Sequence, residues 1–160
     1  MVCASAAFAQ GSKVGVVDAD MVVQNSKKGK SFFEELSAFR NQKADSIKAM
    51  IEGYQAKEKD AQAKAASLSE DKRKDLAVEL QRMQTDIKRA QEDAERETKL
   101  KLNEGLEKFQ KELAPLIRQV ALEKGLDLVM NYAAQSGIIF FSESLDITKD
   151  VIAKYDEMAN

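Results

Sequence analysis

Histidine and tryptophan are absent from the 160-residue sequence, and cysteine and proline occur once each, as Cys3 and Pro115. Cys/His zinc sites, Ser-His-Asp triads and Cys-His dyads therefore cannot be assembled. Seven glycines, one proline and one cysteine also exclude collagen-like chains, low-complexity disorder and disulfide scaffolds. No apolar run approaches the roughly 20 residues of a membrane helix, so no stable membrane insertion is expected. No nucleotide-binding loop is present, and no cofactor is expected. Aromatic residues make up only 6% of the chain. What is abundant is charge, at 32% of residues and nearly balanced to a net −2, with a pI of about 5.4. With 44% hydrophobic residues there is material for one core of ordinary size. This balance favours long, charge-rich helices in an elongated protein that is not an enzyme.

The first residues read as a processing segment. Ala7-Phe8-Ala9 has the small-x-small form of a secretory cleavage site, with the cut before Gln10. Residues 1–9 are thus expected to be the remnant of a signal peptide, although the apolar stretch is short and lacks a positive n-region. Cys3 would leave with it, and a mature chain without thiols suits an oxidising compartment.

Lys13 to Asp18 alternates and is valine-rich, which predicts a strand. From Met21 to Leu68 the period becomes helical, through Phe32, Leu36, Phe39, Ile47, Met50, Tyr54, Ala61, Ala65 and Leu68. Lys43 and Lys57 fill two gaps in that stripe. Ser67 to Glu70 matches a capping box, with Ser67 as the cap. A second register runs through Leu76, Leu80, Met83, Ile87, Ala90, Ala94, Leu102, Leu106, Phe109, Leu113, Leu116 and Val120. Pro115 should kink or break it, and Gly125 is its C-cap candidate. Leu126–Met130 and Ile138–Phe141 read as two further strands. A last helix is expected from about Thr148, capped by Asp146 or Thr148, burying Val151, Ile152 and Tyr155.

The two long registers fit each other as an antiparallel pair. Facing residues whose numbers sum to about 141 are nearly all apolar or small, as in Phe32 with Phe109, Ile47 with Ala94 and Tyr54 with Ile87. The expected fold is α+β, mostly α: a long, coiled-coil-like antiparallel helical hairpin on a small β-containing head. Residues 10–26 and 108–160 would form the head and oligomerisation body, and 27–107 the hairpin arm, with its tip near 69–72. At about 1.5 Å per residue each arm helix would run roughly 60 Å. The tip should be softest, because alanine lines the seam there and surface ion pairs such as Glu92–Arg96 and Glu97–Lys101 add only a few tenths of a kcal/mol each.

Candidate functional residues separate into surfaces rather than a catalytic cluster. Asp18-Ala19-Asp20 is a strand-to-helix cap more readily than a metal site, since two carboxylates without other ligands hold an ion poorly. Phe33 and Ile51 lie off the seam on one face with Ala44 between them, a candidate client-binding face. Lys72, Arg73, Lys74, Lys88 and Arg89 form basic clusters that could add anion contacts. Ile139 and Phe141 would give the last strand a second apolar face. A small sheet cannot cover that face alone, so with Val14 and Val16 these residues are candidates for oligomerisation.

Several of these stretches together carry a family resemblance. Lys13-Val-Gly-Val-Val-Asp18 and Gln24-Asn-Ser-Lys-Lys-Gly-Lys30 resemble the opening of the Skp (OmpH-like) periplasmic chaperones. Gly125-Leu-Asp-Leu-Val129, the aromatic-rich strand, and Leu145-Asp-Ile-Thr-x-x-Val-Ile152 are similar to their close. The resemblance covers the whole mature chain. It implies a jellyfish-like homotrimer in the periplasm. Three helical arms would hold unfolded outer-membrane proteins without ATP and prevent their aggregation. The best-known members are strongly basic, and this chain is not. Residues 27–124 carry a net +3, residues 1–26 a net −1 and residues 125–160 a net −4. Strong anion or lipopolysaccharide binding is therefore not carried over. The reading from another class is a structural coiled-coil or adaptor protein of the cell envelope. Nucleic acid is a poor partner for interleaved Lys and Glu of negative total.

Overall fold

A computed structural model describes residues 12–64, 66–133 and 136–158. The expected cleavage site and Cys3 lie outside the described residues. The elements are β1 (Val14–Val17), α1 (Ala19–Asn25), α2 (Lys27–Lys64), α3 (Glu70–Glu123), β2 (Leu128–Asn131), a 3-10 turn (Glu143–Leu145) and α4 (Thr148–Glu157). They form two compact units, one from residues up to 32 and from 106 onward, the other from 33 to 105.

The first unit is built around β1. It pairs in parallel with β2, Val14 opposite Leu128 and Val17 opposite Asn131. Asp146 bridges to Val16 from the chain's closing segment, and the Ile147 amide donates to the Val16 carbonyl at 2.8 Å. Residues 138–141 pair with no strand among the described residues, so the sheet has two strands and not the three expected. The stretch is apolar on both faces, but a strand exists only by pairing, and no strand among the described residues supplies a ladder for it.

Helix boundaries follow local chemistry. Asp18 caps α1, its Oδ1 accepting from the Met21 amide at 2.8 Å. The end of α3 is a Schellman turn on Gly125, whose φ of 63° a side chain rarely adopts. The Leu126 and Gly125 amides return to the Ala121 and Leu122 carbonyls at 2.9 and 3.1 Å. Helix α3 runs through Pro115 without a break, so of the two outcomes expected there the break does not occur. Pro115 and Lys111 are both exposed, so water can take the Lys111 carbonyl that the missing N–H leaves free. Apolar stripes then close the core. Phe109, Leu113, Leu116 and Val120 of α3 are buried, as are Val16, Val17, Val22, Val151 and Tyr155, all at most 6% exposed, and Phe109 packs edge-on to Tyr155.

The second unit is the α2–α3 hairpin. Every described seam residue expected on α2, from Leu36 to Leu68, is buried or half-buried, the lysines included. The register agrees within one residue where Lys43 meets Glu97 at 2.6 Å and Lys101 lies over the Phe39 ring at 5.7 Å. It then slips towards the turn, where Gln84 donates to the Tyr54 hydroxyl at 2.6 Å and Lys57 pairs with Glu79. The turn falls at residues 66–69, ahead of the expected 69–72. Ser67 explains the shift. Its hydroxyl donates to the Lys64 carbonyl at 2.9 Å and closes α2, instead of capping α3 as a capping box would require.

Candidate binding surfaces

The structure disperses the residues singled out in the sequence. Phe33 and Ile51 are half-buried on α2, whereas Ala44 is exposed and faces a groove between α2 and α3. Lys72, Arg73 and Lys74 are exposed at the start of α3; Arg73 Nε donates to the Leu68 carbonyl at 3.1 Å and Lys74 pairs with Glu70 at 3.1 Å. Lys88 pairs with Glu92 at 3.8 Å and Arg89 with Asp86 at 4.0 Å. These bases are therefore mostly engaged along their own helix, which weakens them as anion contacts. Two expected ion pairs are redrawn as well. Glu97 crosses the hairpin to Lys43, and Arg96 turns to Asp93 at 2.6 Å. A lysine on a half-buried seam needs a counter-charge more than an exposed one does.

The four residues assigned to self-association also divide. Val16 is 3% exposed and lies in the chain's own core, so it is not surface at all. Val14 is half-buried in the sheet. Phe141 packs edge-on to Tyr132, ring centroids 4.9 Å apart. The bare residues are Ile139, 98% exposed, and its neighbour Phe140, 86% exposed, which the period-two reading assigned to the other face. Leu128 and Met130 of β2 are exposed too. Bare apolar side chains grouped like this make a candidate contact surface.

Three features had no sequence signal strong enough to find them. The Glu112 carboxylate accepts from the buried Tyr155 hydroxyl and pairs with Lys28 at 3.2 Å, while Lys28 Nζ sits 5.1 Å over the Tyr155 ring. The Tyr155 hydrogen bond, then Lys28, holds the Glu112 carboxyl below the usual range against the opposing effect of burial. Asp156 of α4 accepts from the first amide of α2, Lys27 N, at 2.7 Å. Ser26 caps the same helix through Gly29 N at 3.1 Å. Helix α4 thus holds α2 and α3 together within the first unit.

No cluster of three or more metal-ligating side chains occurs among the described residues. No helix in them is long and apolar enough to cross a membrane. The surfaces are open grooves and bare apolar side chains among interleaved charges. A family model described as outer membrane protein (OmpH-like) matches residues 13–155, and the chain belongs to that family. The fold is similar to that of a Caulobacter crescentus CB15 crystal structure described as a candidate outer membrane chaperone (OmpH-like). That likeness has a TM-score of 0.85 at 19% identity and covers 92% of this chain and 85% of the other. No curated protein matches the chain.

Proposed function

We propose that this chain is a chaperone that holds unfolded outer-membrane proteins in the periplasm and keeps them from aggregating, without ATP. The observation that carries this reading is the OmpH-like family match across residues 13–155. The hairpin's surface supports it. Val78 and Leu100 are 54% and 56% exposed on α3, set among paired charges. Unfolded membrane strands expose apolar surface and unpaired edges, which aggregate in water. Many weak contacts at high effective concentration hold such chains reversibly. Three copies joined through their heads, with clients between the hairpins, would supply that concentration. Ile139 and Phe140 are the residues we assign to the joint.

Two measurements test this. Light scattering of several unrelated outer-membrane proteins during refolding should show suppression by this chain; an envelope adaptor would suppress none of them. Ile139→Asp with Phe140→Asp should convert the oligomer to monomers in sedimentation, and an unchanged size would refute the joint. Salt separates the kinds of contact. A net +3 spread over residues 27–124 makes a thin field. Raising salt from about 50 to 500 mM is therefore expected to weaken holding less than threefold, although it screens exposed charges to a few ångströms. A tenfold loss would mean that charge dominates.

A further inference from the structure

Within the hairpin unit, α2 and α3 leave a groove of about 580 Å³ between them. That is inside the range of roughly 300–1,000 Å³ typical of ligand sites. Its cause is local. Ala44 on α2 and Ala94 on α3 line it, and neither carries anything beyond Cβ. Leu36, Ile47 and Leu102 form an apolar floor, and Leu36 is only 6% exposed. The charged groups at its edge are unequal. Lys43 is committed to Glu97 at 2.6 Å. Arg40 and Lys99 are exposed and have no ion-pair partner among the described residues, and Glu95 is the one acidic residue lining the groove. The unspent charge is therefore positive on balance.

We propose that this groove is a docking site for an extended client segment that alternates apolar and acidic side chains. The inference rests on the chaperone reading and names which segments it selects. Dimensions favour an extended segment. From Leu36 to Ile47, α2 climbs roughly 16 Å at 1.5 Å per residue. About five residues of extended chain, at roughly 3.3 Å each, match that length. Every second side chain of such a segment points one way, so two or three apolar groups enter the groove together. The intervening carboxylates flank it, within reach of Arg40 and Lys99. Strands of membrane barrels have this alternation, with apolar residues on one face only.

The probes are dye-labelled seven-residue peptides alternating Phe with Asp, Phe with Lys, and Ser with Asp, titrated against the full chain by fluorescence anisotropy. The Phe/Asp peptide should bind at least tenfold tighter than either of the others. Arg40→Gln with Lys99→Gln, a surface change, should weaken it about threefold, since exposed pairs contribute a few tenths of a kcal/mol each. Ala44→Leu should abolish binding by filling the groove. Equal affinity for the Phe/Asp and Phe/Lys peptides, or unchanged binding in both variants, overturns the proposal. Light scattering keeps the two ideas apart. Aggregation suppressed by wild type, with peptide binding indifferent to both variants, sinks the groove and leaves the chaperone reading standing. Peptide binding as expected without suppression of aggregation supports the groove and sinks the chaperone reading.

Discussion

Gly29→Ala is expected to destabilise the protein by at least the upper end of the 1–3 kcal/mol that overpacking commonly costs. The site is the corner between α1 and α2. Ser26 is fully buried there, its hydroxyl donating to the Val23 carbonyl at 3.2 Å and accepting from Gly29 N at 3.1 Å. A Cβ on Gly29 would lie 1.5 Å from that same Val23 carbonyl oxygen. Backbone cannot rotate away as a side chain can, so α1 and α2 would have to separate. Two other glycines act as controls. A Cβ on Gly15 would meet the Leu126 Cδ1 methyl at 2.6 Å, and a leucine side chain can shift. A Cβ on Gly53 meets nothing within 4 Å, so Gly53→Ala should stabilise α2 by about 0.5–1 kcal/mol through helix propensity alone. At roughly 2–4 °C per kcal/mol, thermal melts should place Gly53→Ala above wild type, Gly15→Ala a little below it, and Gly29→Ala at least about 6 °C below. If Gly29→Ala melts with wild type, the tight corner is wrong.

These glycines show where sequence reading succeeds and where it stops. Gly125 was legible because a C-cap is a local event, and Asp18 was legible as a cap for the same reason. The hairpin seam was legible because a period near 3.6 and one antiparallel register must agree along many residues. Gly29 was only part of a family-like string, because the atom that excludes a side chain there belongs to Val23 on another helix. Ser67 was misassigned because its hydroxyl can serve either the helix behind it or the one ahead, and the pattern Ser-x-x-Glu suits both. The strand expected at 138–141 finds no pairing partner among the described residues, and pairing is what a single stretch of sequence does not encode.

The binding surfaces were less legible than the fold. Phe33, Ala44 and Ile51 share a helical face by spacing, but the structure gives Ala44 to a groove that Ala94 also lines and leaves the two larger residues half-buried outside its lining. Arg40 and Lys99 are ordinary exposed cations in a sequence full of them. They become distinctive only when Lys43 is seen to be spent on Glu97. Glu112 is hidden in the same way among many glutamates, and only the fold brings Tyr155 and Lys28 to it.

That last cluster should give the other large effect. Tyr155 is fully buried, packs edge-on to Phe109 with centroids 6.5 Å apart, and gives its hydroxyl to Glu112. Tyr155→Ala should cost about 3–5 kcal/mol, as loss of a buried aromatic ring does. Tyr155→Phe keeps the ring and removes only a hydrogen bond to a charged group, about 1.5–3 kcal/mol. The pH dependence tells these contributions apart. The Glu112 carboxyl is held below its usual range, chiefly by the Tyr155 hydroxyl. Its stabilisation is complete above the unfolded carboxylate pKa of about 4.3 and is lost as pH falls through the lowered folded value. Tyr155 is shifted up, first by burial and then by Glu112, so the folded phenol resists ionising where the unfolded one ionises, near pH 10. Wild type should therefore lose stability at both extremes relative to Tyr155→Phe. Urea melts across pH 3 to 10.5 should show a gap between the two proteins that is widest from about pH 5 to 9 and narrows on either side. A gap constant over that range would mean that the hydroxyl contributes through packing alone, and that the Glu112 pair does not hold α4 to α3 within the first unit.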